Sequence, residues 1–330
     1  MAQLYFEGFD LGVPPDWSWV GGVVTSNGAT AYGYGSAMSV TGVTVAKSIP
    51  ATADVYVGFR YSASASNTGA QGVFRLHGDG NTTEHIRLWW SSPTTLTLGR
   101  GANVVASAPV NEPLAGAWAY VEIRATVADT GGRCIVRVDG QTVVDFTGDT
   151  KNGGTASTID GIQFVGAGSG AVRYLDDLYV NDATGAAPHN GFYGPCRVYS
   201  LAPTGPGTDT QFTASAGANW TCVDEQPASA SDYVTSATIG ARDTYAIADL
   251  PASVSQVFGV RPTAIAKSSD GAAVNLKTAV RSGGTVYGGV VTPLGASDST
   301  VATVRSIDPA TGAAWTVAGA NAAEAGFEVA

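Results

Sequence analysis

The stretch WAYVEIRATVADTGGRCIVRVDG, residues 118–140, decides the fold. Val121, Ile123, Ala125 and Val127 alternate with Glu122, Arg124 and Thr126, which is the two-residue period of a strand with one apolar face. The period breaks at ADTGG, where Gly131 and Gly132 can take the positive φ of a tight reversal. It resumes with Cys134, Val136 and Val138 set against Arg133, Ile135 and Arg137. Asp139-Gly140 is a strong hairpin signal, and QTVVDFTG, 141–148, returns as a third strand. The segment therefore reads as an antiparallel meander with one wet face. Glu122 is expected on that face, paired across strands with Arg137 or Arg133 rather than doing chemistry.

The same rhythm runs through the chain. Turn clusters recur every ten or so residues and glycine interrupts every helical candidate, so the fold class is all-β. The strand candidates of the first half, among them VYVGFRYSA (55–63), HIRLWW (85–90), TLTLGR (95–100) and RYLDDLYV (173–180), fit a two-sheet antiparallel jelly-roll sandwich. Residues 1–184 are assigned to it. A stretch rich in Gly, Pro and polar residues, 185–210, reads as a linker, and 211–330 as a second, sandwich-like β domain used for oligomerisation or attachment. Within its last piece, 320–325 reads as a short helical turn before a final strand.

Composition excludes several classes. A chain of 330 residues with 44% hydrophobic and 13% charged residues is long enough for two cores and too apolar for disorder. A formal net charge of −10 argues against nucleic acid or an anionic bilayer as the main partner, and repels acidic polymers at long range. Nothing approaches the ~20 apolar residues of a membrane span, so no membrane insertion is expected. The first residues lack a basic region followed by an apolar run, so no signal peptide is expected. Cys134, Cys196 and Cys222 are odd in number and lack metal-ligand spacing, and read as reduced thiols.

Three segments of the first half, YFEGFDLG (5–12), the central meander and YLDDLYVND (174–182), resemble the concanavalin-like, laminin-G-like lectin domains. NWTCVDEQPASASDYV (219–234), DTYAIADLP (243–251) and SIDPATGAAWTVAGANAAEAGFEV (306–329) resemble C-terminal portions of tail-fibre and other virion proteins of tailed bacteriophages. The two resemblances together imply a structural protein of the virion, assembled in the host cytoplasm. It would be a tail-fibre or other surface appendage that contacts host-surface polysaccharide without being an enzyme. They also imply other virion proteins as partners and a homo-oligomer, a trimer by analogy with fibres. The alternatives are a capsid or tail decoration that touches no sugar, and a glycan-degrading enzyme of the tail-spike type.

Glycan hydrolysis on such a fold needs two carboxylates on one strand face. Glu122 is followed on its face by Arg124 and Thr126, and Asp176 and Asp177, as strand neighbours, are expected to face opposite sides. No catalytic residue is therefore assigned. The candidate binding site is VFRLHGDGNTTEHIRLWW, 73–90. A symmetric hairpin sets Arg75 opposite Arg87, His77 opposite His85 and Val73 opposite Trp89, all on the face away from Phe74. Opposed arginines require a compensating acid, from the same fold, another subunit or a ligand. An exposed Trp89 beside Arg75, Arg87, His77 and His85 would make a platform for a glycan or acidic polymer. Equally, Trp89 could pack under a loop or a second chain while the arginines form ordinary surface pairs. Asp79, Asn81 and Glu84 offer oxygens for calcium, without the end-glutamate spacing of known calcium loops, and no other cofactor is implied. Trp17 and Trp19 share a face and read as core or interface.

Overall fold

A computed structural model of the chain describes residues 3–20, 23–27, 36–66, 72–167, 170–226 and 228–330. It divides into two compact units, Met1–Val13 with Trp17–Val198, and Pro14–Asp16 with Tyr199–Ala330. The stretch expected as a linker is split between them. Residues 185–198 pack on the first unit, whereas Pro203–Thr210 forms a strand of the second. Its sequence, PTGPGTDT, reads as loop because proline gives up a ladder donor. An edge strand tolerates that loss, and this strand lies at the edge of its sheet.

The first unit is a sandwich of two antiparallel sheets. Among the described residues, the eight-stranded sheet runs in the order Gln141–Gly148, Gly132–Val138, Ala119–Thr126, Asp54–Ala63, Arg173–Asp182, Ala37–Thr41 and Val23–Asn27, with Gln3–Glu7 paired to Arg173–Asp182. The seven-stranded sheet runs Asn103–Pro109, Thr95–Arg100, Thr83–Ser92, Phe74–Gly78, Ile159–Val165, Thr44–Thr52 and Ser18–Val20. The central meander folds as its period predicts. Val121 pairs with Val138 and Ile123 with Val136, and Asp139 and Gly140 turn with φ of 47° and 80°. The inward residues form one core in which Phe59, Phe74 and Phe164 pack ring on ring and Tyr61 stacks on Trp90 at 5.0 Å. Trp17 belongs to that core, stacked on Phe164, with its indole N–H donating to Tyr5 at 2.9 Å; the Trp19 side chain lies outside the described residues.

The second unit holds a six-stranded antiparallel sheet running Pro203–Thr210, Arg242–Ile247, Glu324–Val329, Val274–Ser282 and Thr285–Gly288, with Thr292–Leu294 also on Val274–Ser282. Thr263–Ala266 pairs separately with Ser299–Ala302. Leu276, Leu294, Val301 and Val329 form its core. The helical turn spans Val317–Asn321, a little earlier than expected, because Thr316 caps it by accepting from the Gly319 N–H at 2.9 Å.

Glu122 is opposite Arg137 as expected, yet it is wholly buried rather than wet. The outer face of its sheet is covered by residues 183–198. Phe192 meets Tyr56 edge-on at 5.1 Å and lies under the Arg137 guanidinium at 5.0 Å, and Tyr193 packs on Tyr179 at 4.6 Å. Glu122 Oε1 accepts from the Tyr179 hydroxyl at 2.7 Å and from the Gly194 N–H at 2.8 Å, with Arg137 at 3.7 Å from its other oxygen. Tyr179 lies flat across the neighbouring strand because position 58 is glycine; a Cβ there would stand 2.2 Å from the ring. Meander periodicity tells which residues leave the core but not that a distant segment returns to cover them.

The same strap reveals a second departure. A bulge between Asp176 and Tyr179 inserts one residue, so Asp176 and Asp177 both fall between the inward-facing Leu175 and Leu178 instead of on opposite sides. Asp177, at φ 51°, accepts from Arg60 Nε at 3.1 Å and from the Val198 N–H at 2.8 Å. Burial, and then the Asp177 charge beside it, push Asp176 well above the usual carboxylate range.

Substituting Glu122→Ala removes the acceptor of both the strap and Tyr179. It is expected to lower unfolding stability by about 3 kcal/mol, as loss of one partner from a buried charged network does. Hydrogen exchange at the Gly194 amide should accelerate more than exchange at core amides. Unchanged exchange there would show that the strap is held without this carboxylate.

Candidate binding face

The outer face of the seven-stranded sheet carries the residues singled out in 73–90. Phe74, Leu76, Ile86, Leu88 and Trp90 turn into the core, which leaves Arg75, His77, Arg87 and Trp89 on the other side. Arg75 is opposite Arg87, as a symmetric hairpin requires. The symmetry ends there. A register shift between Leu76 and His77 places Glu84, not His85, opposite His77. The turn causes it, since Asp79, Gly80 and Asn81 all adopt positive φ, and the extra residue is absorbed on the returning strand. Val73 is core, and Trp89 pairs with Thr97 on its other neighbour.

Glu84 is the acid that the two arginines require. Arg87 Nε donates to Oε1 at 2.6 Å and Nη2 to Oε2 at 3.0 Å, a bidentate clamp, while Arg75 Nε stands 3.2 Å from Oε2. The Arg75 contact is an ion pair rather than a hydrogen bond. Gln163, Arg75, Arg87 and Gly99 thus stand in one row across four adjacent strands. Burial holds Arg75 below the usual guanidinium range against the pull of Glu84, and the charges of Arg87 and Arg173 push the same way as burial. His77 is 6% exposed, and neither ring nitrogen has a hydrogen-bond partner. Burial brings its pKa down to about 4, so the ring is neutral at physiological pH.

Three expectations change. Trp89 is 4% exposed and is no platform, because its ring lies against Gly99, where a Cβ would come within 2.8 Å of it. His85 is fully buried at the bulge; its Nδ1 accepts from the Asn152 N–H at 3.2 Å, which ties it to the 149–158 loop and away from the row. Asp79, Asn81 and Glu84 do not converge as a calcium set. Asp79 accepts from the Thr155 hydroxyl at 2.8 Å and the Ala156 N–H at 2.9 Å, which draws its pKa down to about 2. Asn81 faces Gln163 at 3.5 Å, and Glu84 is taken by the arginines. Among the described residues, no three His, Cys, Asp or Glu side chains are grouped to hold a metal ion.

Gln163 was legible as a polar position between Ile162 and Phe164 in GIQFV, but its neighbour in space is Arg75, far away in sequence. Local reading pairs consecutive strands, and this sheet interleaves Ile159–Val165 between Phe74–Gly78 and Thr44–Thr52.

Two outcomes test this geometry. Trp89→Ala should cost about 3–4 kcal/mol in chemical unfolding, the range for truncating a large buried aromatic; a change under about 0.5 kcal/mol would mark the residue as superficial. His77 refuses a proton in the folded state that it takes in the unfolded chain near its ordinary value of 6.5. Stability is therefore expected to fall as pH drops from 6.5 towards 4. His77→Gln should make that decline shallower without abolishing it, since burial also depresses His85.

Comparisons with known proteins place only partial likenesses beside this fold. No protein-family model and no curated protein sequence matches the chain. Among solved structures, the cellulose-induced protein Cip1 aligns at a TM-score of 0.42 and 17% identity, covering 53% of this chain and 96% of that one. A carbohydrate-binding module, CBM66 from Bacillus subtilis, aligns at 0.34 and 12%, covering 51% and 96%. A carbohydrate esterase of the Shiga toxin-encoding bacteriophage phi24B aligns at 0.36 and 15%, covering 50% and 89%.

Proposed function

We propose that the chain is a non-enzymatic, carbohydrate-binding component of a tailed-phage particle, and that its first unit holds glycan on the outer face of the seven-stranded sheet. The observation that carries the binding reading is the row Gln163–Arg75–Arg87 with Glu84 clamped beside it and the unpartnered His77 next in line. Such a face offers fixed donors and acceptors, already oriented by neighbouring strands, to the hydroxyls of a sugar. Glu84 is engaged by both arginines, and Asp176 and Asp177 are buried on the other sheet, which supports binding rather than bond cleavage. Placement in a phage particle, with virion proteins and copies of itself as partners, is supported by the sequence likeness of the second half. Exposed Ile239 and Val290 in the second unit are in keeping with subunit contacts.

The 330-residue chain applied to an array of bacterial surface polysaccharides should bind at least one of them, and leave the polymer's length unchanged on long incubation. Arg75→Gln should weaken that binding about tenfold, the scale of one charge-assisted hydrogen bond, with little change in thermal midpoint. Failure to bind any glycan would overturn the reading, as would shortening of the polymer. Imaging the intact particle with this chain located would fix its place and copy number.

A further inference from the structure

The strap over the eight-stranded sheet packs on Tyr56, Tyr120 and Tyr179 and leaves one corner of that outer face to other residues. There Ser62 lies between two aromatic side chains. Tyr174 pairs with it from one side, and on the other Trp118 directly precedes Ala119, the partner of Tyr61. Strand alternation turns Tyr61, Ala63 and Leu175 into the core and leaves Ser62 and Tyr174 outside. Because serine is small, the two rings meet above it, with centroids 6.3 Å apart and planes inclined at 47°. Ser62 is 1% exposed and its hydroxyl is closed to solvent, so what a ligand meets is the rings. Both are half-buried, and among the described residues no protein group bonds the Trp118 indole N–H or the Tyr174 hydroxyl. A tryptophan and a tyrosine with an apolar body and a wet polar tip are what recognition surfaces favour.

The pair is also held still. Ala115 and Gly116 turn with φ of 54° and 90°. The Ala115 N–H donates to the Ala63 carbonyl at 2.9 Å and the Ala117 N–H to the Leu114 carbonyl at 3.0 Å, which ties the backbone entering Trp118 to the sheet. Tyr174 stands on a strand paired on both sides, to Asp54–Ala63 and to Ala37–Thr41. A platform fixed beforehand loses little freedom on binding. The charged groups beside it are Asp10, Asp176 and Asp177 against Arg60 and Arg197, with Arg60 donating to Asp177 and lying over the Tyr120 ring. That set holds no positive excess to draw an anion.

We propose that this corner is a second carbohydrate site, where a neutral saccharide lays the apolar face of a pyranose ring on Trp118 and Tyr174 while the indole N–H and the phenol hydroxyl bond its hydroxyls. It extends the carbohydrate-binding reading to the other sheet and shares no residue with the Gln163–Arg75–Arg87 row, so either site can fail alone. Sites on both sheets let one copy of the chain hold two stretches of polymer, which raises avidity without a tighter contact at either.

The test titrates the 330-residue chain with cellohexaose, maltohexaose and mannohexaose, with hexagalacturonate as the charged control and decaproline as the peptide control, by calorimetry and by the indole N–H signals in NMR. Trp118→Phe identifies the Trp118 signal by its loss. At least one neutral sugar is expected to bind and to move that signal, while those of Trp17 and Trp90, buried in the core, stay in place. Trp118→Ala should weaken that sugar about tenfold or more with little change in thermal midpoint, and Arg75→Gln should leave the Trp118 shift as it is. A neutral sugar that binds without moving the Trp118 signal, or that binds folded Trp118→Ala as well as the unaltered chain, would overturn the second site. Loss of that binding in Arg75→Gln would then assign it to the row and leave the proposed function standing. Binding of no neutral sugar would also refute the proposal, and a Trp118 shift from decaproline alone would make the corner a peptide site instead. Tighter binding of hexagalacturonate at Trp118 would overturn the neutral assignment.

Discussion

A β-sandwich buries one face of each sheet, and the fate of the two remaining faces governs everything else in the first unit. On the eight-stranded sheet that fate rests on the Glu122 carboxylate. A carboxyl at zero exposure is tolerated only with partners, and its partners are a tyrosine hydroxyl from its own sheet, the Gly194 amide of the strap and, at 3.7 Å, Arg137. The strap brings Phe192 and Tyr193 onto Tyr56 and Tyr179, so an outer sheet face becomes a second, aromatic packing layer. Gly58 is what lets Tyr179 lie low enough for that layer to close.

The seven-stranded sheet takes the other course. Its outer face keeps arginines, a glutamate, a glutamine and a histidine in register across adjacent strands, and Trp89 on the same face lies against Gly99 as packing rather than as a surface. Like charges facing each other across two strands are unfavourable unless an acid sits between them, and the bulge in the hairpin delivers Glu84 to that position. Electrostatic need and backbone irregularity therefore have one solution. The same bulge sends His85 under the 149–158 loop, so two histidines that look equivalent in sequence have different surroundings.

Bulges also decide the acids. The extra residue in Arg173–Asp182 gathers Asp176 and Asp177 on the same stretch of backbone, where burial raises both above the ordinary carboxylate range. Asp176 beside an arginine-bound Asp177 is a structural arrangement at the strap's end, with Val198 bonded to Asp177. Such an arrangement is invisible to strict alternation, because alternation assumes that every residue advances the pleat by one.

Sequence alone was enough for the all-β class, the central meander, the Arg75–Arg87 opposition and the inward placement of Phe74, Leu76, Ile86 and Leu88. Each follows from a two-residue period and turn residues acting over a few positions. The burial of Glu122 and Trp89, the clamp on Glu84, the approach of Gln163 and the strand made from PTGPGTDT were decided only in three dimensions. These depend on which distant segment lies next to which face, on bulges that shift register by one residue, and on whether a strand sits at an edge. Local chemistry sets which side of a strand a residue occupies, and only the assembled fold sets what lies against that side.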